Sequence, residues 1–270
     1  SPEIVRTFEE VLGQDLEPPQ AVTETFTALQ ETPSIQEAFE VVGTTEAPLD
    51  GLRAHVRTRA TNLGRLAADS TLWYAQQAFP DMGVDIALKN GGGIRASVTG
   101  PNITRLAINT ALAFDNQISV VELSAAELLA AMENAVSRHP AADGRFPQLA
   151  GAHLVYDPDR EGISDEEVRA TPSRVRTLEI VDDGEVVDTV VEDGILMGDP
   201  DRTFVLATNS FLVTGGDGYN ALAAAAESRP SDITEIGEQQ VLVEYIRDAL
   251  GGTVDIPATL ENPRVRQVGE

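Results

Sequence analysis

Two glycine-rich segments hold the side chains best suited to meeting a small anionic or hydroxyl-bearing molecule. In Asn90-Gly91-Gly92-Gly93-Ile94-Arg95, three glycines let a backbone lie flat against a ligand, and Arg95 offers a planar, five-donor fork for an anion. In the run from Thr208 to Tyr219, Gly215-Gly216-Asp217-Gly218 places Asp217 at an exposed turn, where a carboxylate can accept two hydroxyl hydrogen bonds from a sugar. Each segment by itself reads equally well as a plain tight turn. A calcium-binding β-roll also uses Gly-Gly-Asp-Gly, but such repeats come in tandem and this one stands alone.

Other chemistries are missing from the sequence. The three histidines, His55, His139 and His153, are far apart and show no metal-ligand spacing. They are read as non-catalytic. No cysteine is present, which excludes a thiol nucleophile, a Cys-based metal site and disulfides. There is no Gly-x-Ser-x-Gly elbow and no phosphate-binding Gly-x-x-x-x-Gly-Lys loop. No catalytic residue and no metal ligand is expected in these 270 residues.

Charge narrows the partners. The formal charge is −25, with 44 acidic against 19 basic residues, and Lys89 is the sole lysine. Such a chain repels nucleic acid and anionic membranes. An acidic surface with arginine in place of lysine fits adaptation to high salt. No apolar run reaches the length of a membrane span. The first residues, Ser-Pro-Glu-Ile-Val-Arg, lack the pattern of a secretion signal.

The elements that must position the two loops are legible from periodicity. A helix is expected over residues 2–12, with Ser1 as cap and Gly13 as stop. Residues 14–32, rich in Pro and Thr, read as a linker or surface loop. We therefore take 1–40 as a linker helix and connection, and 41–270 as one domain. Within it, Thr61 to Phe79 reads as a helix ended by Pro80. Val84–Leu88, Ile118–Leu123 and Phe204–Ala207 read as strands. Ser124 and Glu127 form a capping box for a helix with Leu128, Leu129, Met132 and Val136 on its core face. Asp183-Gly184 between two apolar runs signals a hairpin. A last helix is expected from Glu238 to Leu250, ended by Gly251-Gly252. Strands interleaved with helices, plus a hairpin, predict a mixed α/β domain.

Taken together with Thr61-Asn62-Leu63-Gly64-Arg65-Leu66, the two loops resemble, in order and spacing, the C-terminal domain of the 5′-nucleotidase family. That family includes UDP-sugar hydrolases and 2′,3′-cyclic-nucleotide phosphodiesterases. The likeness runs from Val41, in Val-Val-Gly-Thr-Thr-Glu-Ala-Pro-Leu, to about Leu250. It implies an α+β, four-layer α/β/β/α fold. It also implies a substrate site in which Phe114 and Phe211 clamp a nucleobase. Asn90 and Asn116 reach the base edge, Gly92 and Gly93 keep the loop open, and Asp217 holds the ribose hydroxyls. Arg53, Arg57 and Arg95 face the phosphate side.

The sequence departs from the family pattern at Ala113 (usually Pro), Ser210 (usually acidic) and Ala60 (usually acidic). None removes a ligand-contacting group, though the absent proline leaves the Phe114 loop freer. The implied activity is hydrolysis of nucleoside phosphates, with two divalent metal ions carried by an N-terminal metallophosphatase domain of the same polypeptide. The implied location is extracellular, cell-surface or periplasmic. Two alternatives remain at this point: the substrate domain of a related thiosulfohydrolase, or a stand-alone non-catalytic binding module.

Overall fold

The computed structural model describes residues 20–163 and 173–269. The chain divides after Glu40 into two compact units. The helix expected over 2–12 lies outside the described residues. In the first unit, Gln20–Gln30 is helical where the sequence pattern pointed to loop, and Pro33–Ala38 forms a second short helix. The threonines responsible for that expectation turn their hydroxyls back onto the helix. Thr25 Oγ1 donates to the Ala21 carbonyl at 2.7 Å and Thr32 Oγ1 to the Ala28 carbonyl at 3.1 Å, so neither competes with the backbone ladder. Pro33 occupies the first turn of its helix, where a missing N–H costs nothing.

The second unit contains thirteen described strands in three sheets. In chain order they are β1 (Val41–Thr45), β2 (Ile86–Asn90), β3 (Asn102–Thr104), β4 (Gln117–Ser124), β5 (Pro147–Ala150), β6 (Ala152–Tyr156) and β7 (Val175–Asp182). Next come β8 (Glu185–Glu192), β9 (Ile195–Leu196), β10 (Thr203–Asn209), β11 (Ser231–Gly237), β12 (Thr253–Val254) and β13 (Val265–Gln267). The sheets run β12-β1-β3, β11-β4-β10-β2-β5 and β13-β6-β7-β8-β9. In the central sheet β10 is parallel to β2 and antiparallel to β4, while β5 is antiparallel to β2. The mixed architecture with helix-covered sheets is therefore as the resemblance implies.

Helix Asn62–Ala78 covers one face of the central sheet, packing Ala68 and Ala75 against Ala87, Val120 and Ala207. Small residues there let the backbones approach closely. The other face shares a core with helix Ala125–Val136 and the third sheet, built on Leu88, Val121, Leu128, Met132, Leu178 and Val190. The Ser124–Glu127 capping box forms as expected. So does the hairpin at Asp183 and Gly184, both at positive φ (46° and 83°), as a type I′-like turn demands. The last helix differs in detail. Glu238–Glu244 is α-helical, but Tyr245–Ala249 widens into a π-helical turn in which the Leu250 N–H reaches the Tyr245 carbonyl at 3.1 Å.

Candidate ligand-binding site

Four adjacent central strands deliver loops to a single edge. Parallel β2 and β10, paired through Ile86–Leu206 and Ala87–Ala207, both end there. Antiparallel β4 begins there, with Ile118 opposite Asn209, and β5 begins there, with Pro147 opposite Asn90. The carboxyl ends of parallel strands are where ligands of open α/β sheets bind. At this edge lies a cavity of about 360 Å³.

Of the ten residues expected at a site, nine line this cavity: Arg57, Asn90, Gly92, Gly93, Arg95, Phe114, Asn116, Phe211 and Asp217. Arg53 does not. It is exposed on the short helix Arg53–Val56, and only its charge reaches the cavity, through Arg57. Three further lining residues, Asp143, Gly144 and Arg145, escape sequence reasoning. The pairing of β5 beside β2 puts them there, and that pairing is a long-range event with no local signature.

Each loop is built by local chemistry. Asn209 ends β10 and caps the Ser210–Val213 helix, its Oδ1 accepting from the Leu212 N–H at 3.1 Å, which swings Phe211 outward. Asp217 follows in the left-handed region (φ 54°), flanked by Gly215 (φ 87°) and Gly218 (φ 78°). Gly91 is required by contact: a Cβ there would lie 2.1 Å from the Val56 carbonyl oxygen. That close approach brings Arg57 under the glycine loop.

Phe114 and Phe211 are 60% and 44% exposed, so neither serves as core packing. No ring contact joins them. The Arg95 guanidinium lies 5.5 Å from the Phe114 ring centre, and its Nη1 donates to the Gly92 carbonyl at 3.3 Å. The Phe114 loop is fixed from behind despite lacking the family's proline. The Glu238 N–H donates to the Asn116 carbonyl (2.9 Å), the Gln239 N–H to Asp115 Oδ1 (3.2 Å), and Gln239 Nε2 to the Leu112 carbonyl (2.9 Å). Beneath, the buried Lys89 ammonium pairs with the buried Glu238 carboxylate.

Arg57 is buried, and its Nε has no hydrogen-bond partner. Burial, then the charges of Arg53 and Arg95, push its pKa below the usual arginine value, against the opposing pull of Asp217 and Asp143. An anion in the cavity offsets the repulsion among the arginines. The wall therefore combines two apolar ring faces, a cationic group of arginines and carboxylate acceptors.

No histidine joins them. His55 pairs with Asp50 at 2.6 Å, His153 faces Glu179 at 3.8 Å, and His139 packs its ring 5.3 Å from Tyr156. None lines the cavity. Arg59 and Arg65 lie 3.8 Å from Asp50 and 3.7 Å from Asp69. Among the described residues no group of three or more His, Cys, Asp or Glu is arranged to hold a metal ion.

Comparison with known proteins identifies the family and the fold. The family model described as "5′-nucleotidase, C-terminal domain" matches residues 41–224. The trifunctional nucleotide phosphoesterase protein YfkN of Bacillus subtilis is 34% identical over 187 residues, covering 69% of this chain and 11% of that protein. A snake venom 5′-nucleotidase of Macrovipera lebetinus is 28% identical over 224 residues, covering 79% of this chain and 51% of that one. The crystal structure of a 5′-nucleotidase precursor from Thermus thermophilus superposes with a TM-score of 0.72 at 31% identity, covering 92% of this chain and 43% of that chain. The chain thus spans about half or less of the proteins it matches.

Proposed function

The chain belongs to the 5′-nucleotidase family and carries its C-terminal domain, and from that premise we propose that the cavity recognises the nucleoside part of a nucleotide. One observation carries the reading: two exposed phenyl rings, Phe114 and Phe211, on a single cavity whose remaining wall is arginine, aspartate, asparagine and glycine. Aromatic faces hold any nucleobase, because every base offers a π-face, at about 1–3 kcal/mol per stacked base. Asp217 keeps one carboxylate oxygen free for ribose hydroxyls, its other being engaged by Asn90. Arg57 and Arg95, with Arg53 behind, suit the phosphate. The cavity volume falls within the range of small-molecule sites.

In this reading the chain is the substrate-recognition part of a phosphohydrolase that converts nucleoside phosphates to nucleoside and phosphate. The metal-bearing catalytic domain belongs to the same polypeptide but is not among these residues, which by themselves hydrolyse nothing. Among the described residues no helix is long and apolar enough to cross a membrane. We place the protein outside the cytoplasm, in a high-salt setting, on the family likeness and the acidic charge. A thiosulfohydrolase role is disfavoured, since a sulfonate has no ring to stack between the phenyl groups.

Calorimetric titration with AMP and adenosine, in molar salt, tests the reading. Saturable heats with both ligands and no phosphate release from AMP are expected. Absence of binding by either ligand would sink it.

A further inference from the structure

The carboxylate of Asp143 is only half used by the protein. Its Oδ1 accepts from the Arg145 N–H at 3.1 Å and from Arg145 Nε at 3.0 Å, while Oδ2 has no hydrogen-bond partner and the residue lines the cavity. Burial alone would raise its pKa. The two Arg145 hydrogen bonds and the charges of Arg145 and Arg138 outweigh that effect and hold it below the ordinary aspartate value, so the group is ionised near neutral pH.

Asp143 lines the same cavity as Asp217, and its chain neighbour Gly144 packs against Asp217. Gly144 receives the Gly92 N–H on its carbonyl at 2.8 Å and comes so near that a Cβ on it would lie 3.0 Å from Asp217 Oδ2. Both carboxylates act on the buried Arg57. Asp217 is half used in the same way, with Oδ2 taken by Asn90 Nδ2 at 2.6 Å. One cavity thus presents two carboxylates, each anchored through one oxygen and open at the other. An ionised carboxylate can only accept hydrogen bonds. A pair of them matches two adjacent hydroxyl donors and repels an anion in the same place.

We propose that Asp143 is a specificity-determining residue that reads one hydroxyl of a ribose cis-diol while Asp217 reads the other. The cavity then selects ribonucleosides and ribonucleotides with free 2′- and 3′-hydroxyls over their deoxy and 2′,3′-cyclic phosphate counterparts. This inference rests on the nucleoside reading of the cavity. It adds the sugar class to that reading and names the residue that enforces it.

The test is a ligand–variant cycle by calorimetry on this chain, using adenosine, 2′-deoxyadenosine, 3′-deoxyadenosine and 2′,3′-cyclic AMP. Wild type should lose about tenfold or more in affinity on removal of either hydroxyl, since each bonds a charged acceptor. Asp143→Asn should weaken adenosine by a similar factor. It should leave one of the two deoxynucleosides unaffected and narrow the gap to the cyclic phosphate. Equal weakening of adenosine and both deoxynucleosides, or no weakening at all, overturns the inference.

Asp143→Ser, which keeps an acceptor for the Arg145 N–H, guards against a folding defect, read by thermal unfolding. Should both variants unfold, the wild-type ligand series still decides, because equal affinity for adenosine and the deoxynucleosides overturns the proposal. Failure of wild type to bind adenosine or AMP at all overturns the nucleoside reading as well. Wild-type binding that Phe211→Ala weakens and Asp143→Asn leaves untouched overturns only the role of Asp143.

Discussion

Asn90 and Asp217 are joined by a hydrogen bond of 2.6 Å, from the Asn90 amide nitrogen to Asp217 Oδ2, across 127 residues of chain. The same Asn90 accepts from Asn209 Nδ2 at 3.0 Å, and Asn209 caps the helix that holds Phe211. One polar chain therefore sets the orientation of the candidate ribose carboxylate and the base of one candidate ring at once. With Asn90 and Asn209 both buried, it fixes the two glycine-rich loops relative to each other before any ligand arrives.

Replacing Asn90 by Asp tests that link with a minimal change of shape. The Asn209 contact survives, but a carboxylate then faces Asp217 in place of a donor. A loss of about 1–3 kcal/mol of stability at pH 7.5 is expected from the lost bond and the like charges. The pair can share a proton, which raises one folded-state pKa above its unfolded value of about 4. A raised carboxyl contributes stability below the unfolded pKa and loses it as pH rises through the folded one. The deficit of Asn90→Asp should thus be smaller at pH 4.5 than at 7.5 in urea unfolding. Equal deficits at the two pH values would count against the contact.

The rings should separate by ligand. Phe211→Ala should weaken adenosine and AMP alike, by about 1–3 kcal/mol. Phe114→Ala should weaken AMP more than adenosine, because it also removes the face on which the Arg95 guanidinium rests, a contact worth about 0.5–1 kcal/mol. Calorimetry with both ligands on both variants reads the difference. Identical losses for the two ligands in Phe114→Ala would separate Arg95 from the phosphate.

What the sequence disclosed and what it withheld follow from the range of the interactions. Phe211, Asp217 and the Asn90 loop are legible because a strand end, a cap and a glycine turn are written in consecutive residues. Thr61, Ser124 and Asp183-Gly184 are legible for the same reason. Asp143 and Arg145 are not, since only the pairing of β5 with β2 brings them to the cavity. The partnership of Lys89 with Glu238 spans 149 residues and leaves no local trace. The Gln20–Gln30 helix is masked by threonines whose hydroxyls satisfy themselves within it. The π-turn at Tyr245–Ala249 has no periodicity distinct from an α-helix.

The Lys89–Glu238 pair should be worth little as a pair and much as a pair broken. Both side chains are buried, and Glu238 Oε1 has no partner. Lys89→Met strands a carboxylate in the interior, with an expected loss of about 3–5 kcal/mol. The double change Lys89→Met with Glu238→Leu should restore most of it, since a buried ion pair replaced by apolar groups is commonly neutral or better. Urea unfolding of the single and double variants checks this. A double variant as unstable as the single would mean that the charge itself holds the Phe114 loop through Glu238 and Gln239.

Salt should distinguish the surface from the cavity. At a formal charge of −25, the surface opposes an anionic ligand at long range. The Debye length shortens from about 10 Å at 0.1 M to about 3 Å at 1 M salt, which screens that field while leaving buried contacts less affected. The affinity for AMP relative to adenosine should therefore hold or rise between about 0.1 and 1 M NaCl, and thermal stability should increase. A fall of about tenfold in the AMP-to-adenosine ratio would show that the arginines act through exposed, screenable charge, contrary to the burial of Arg57.

Asp85 provides a stability handle remote from the cavity wall. Its Oδ2 accepts from the Val205 N–H at 2.8 Å, and its own N–H donates to the Val205 carbonyl at 3.0 Å, tying the start of β2 to β10. Burial raises its pKa, the charges of Asp188 and Asp182 raise it further, and the Val205 hydrogen bond only partly compensates. A carboxyl raised in the folded state contributes stability below its unfolded pKa, about 3.9, and loses that contribution as pH climbs through the folded value. Asp85→Asn keeps an acceptor for Val205 but carries no charge to desolvate. The variant should match wild type in thermal unfolding near pH 3.5 and exceed it at pH 7.5, the gap opening between the two. A variant less stable than wild type at pH 7.5 would mean that the hydrogen bond needs the full carboxylate charge, and that desolvation is the smaller effect at this strand edge.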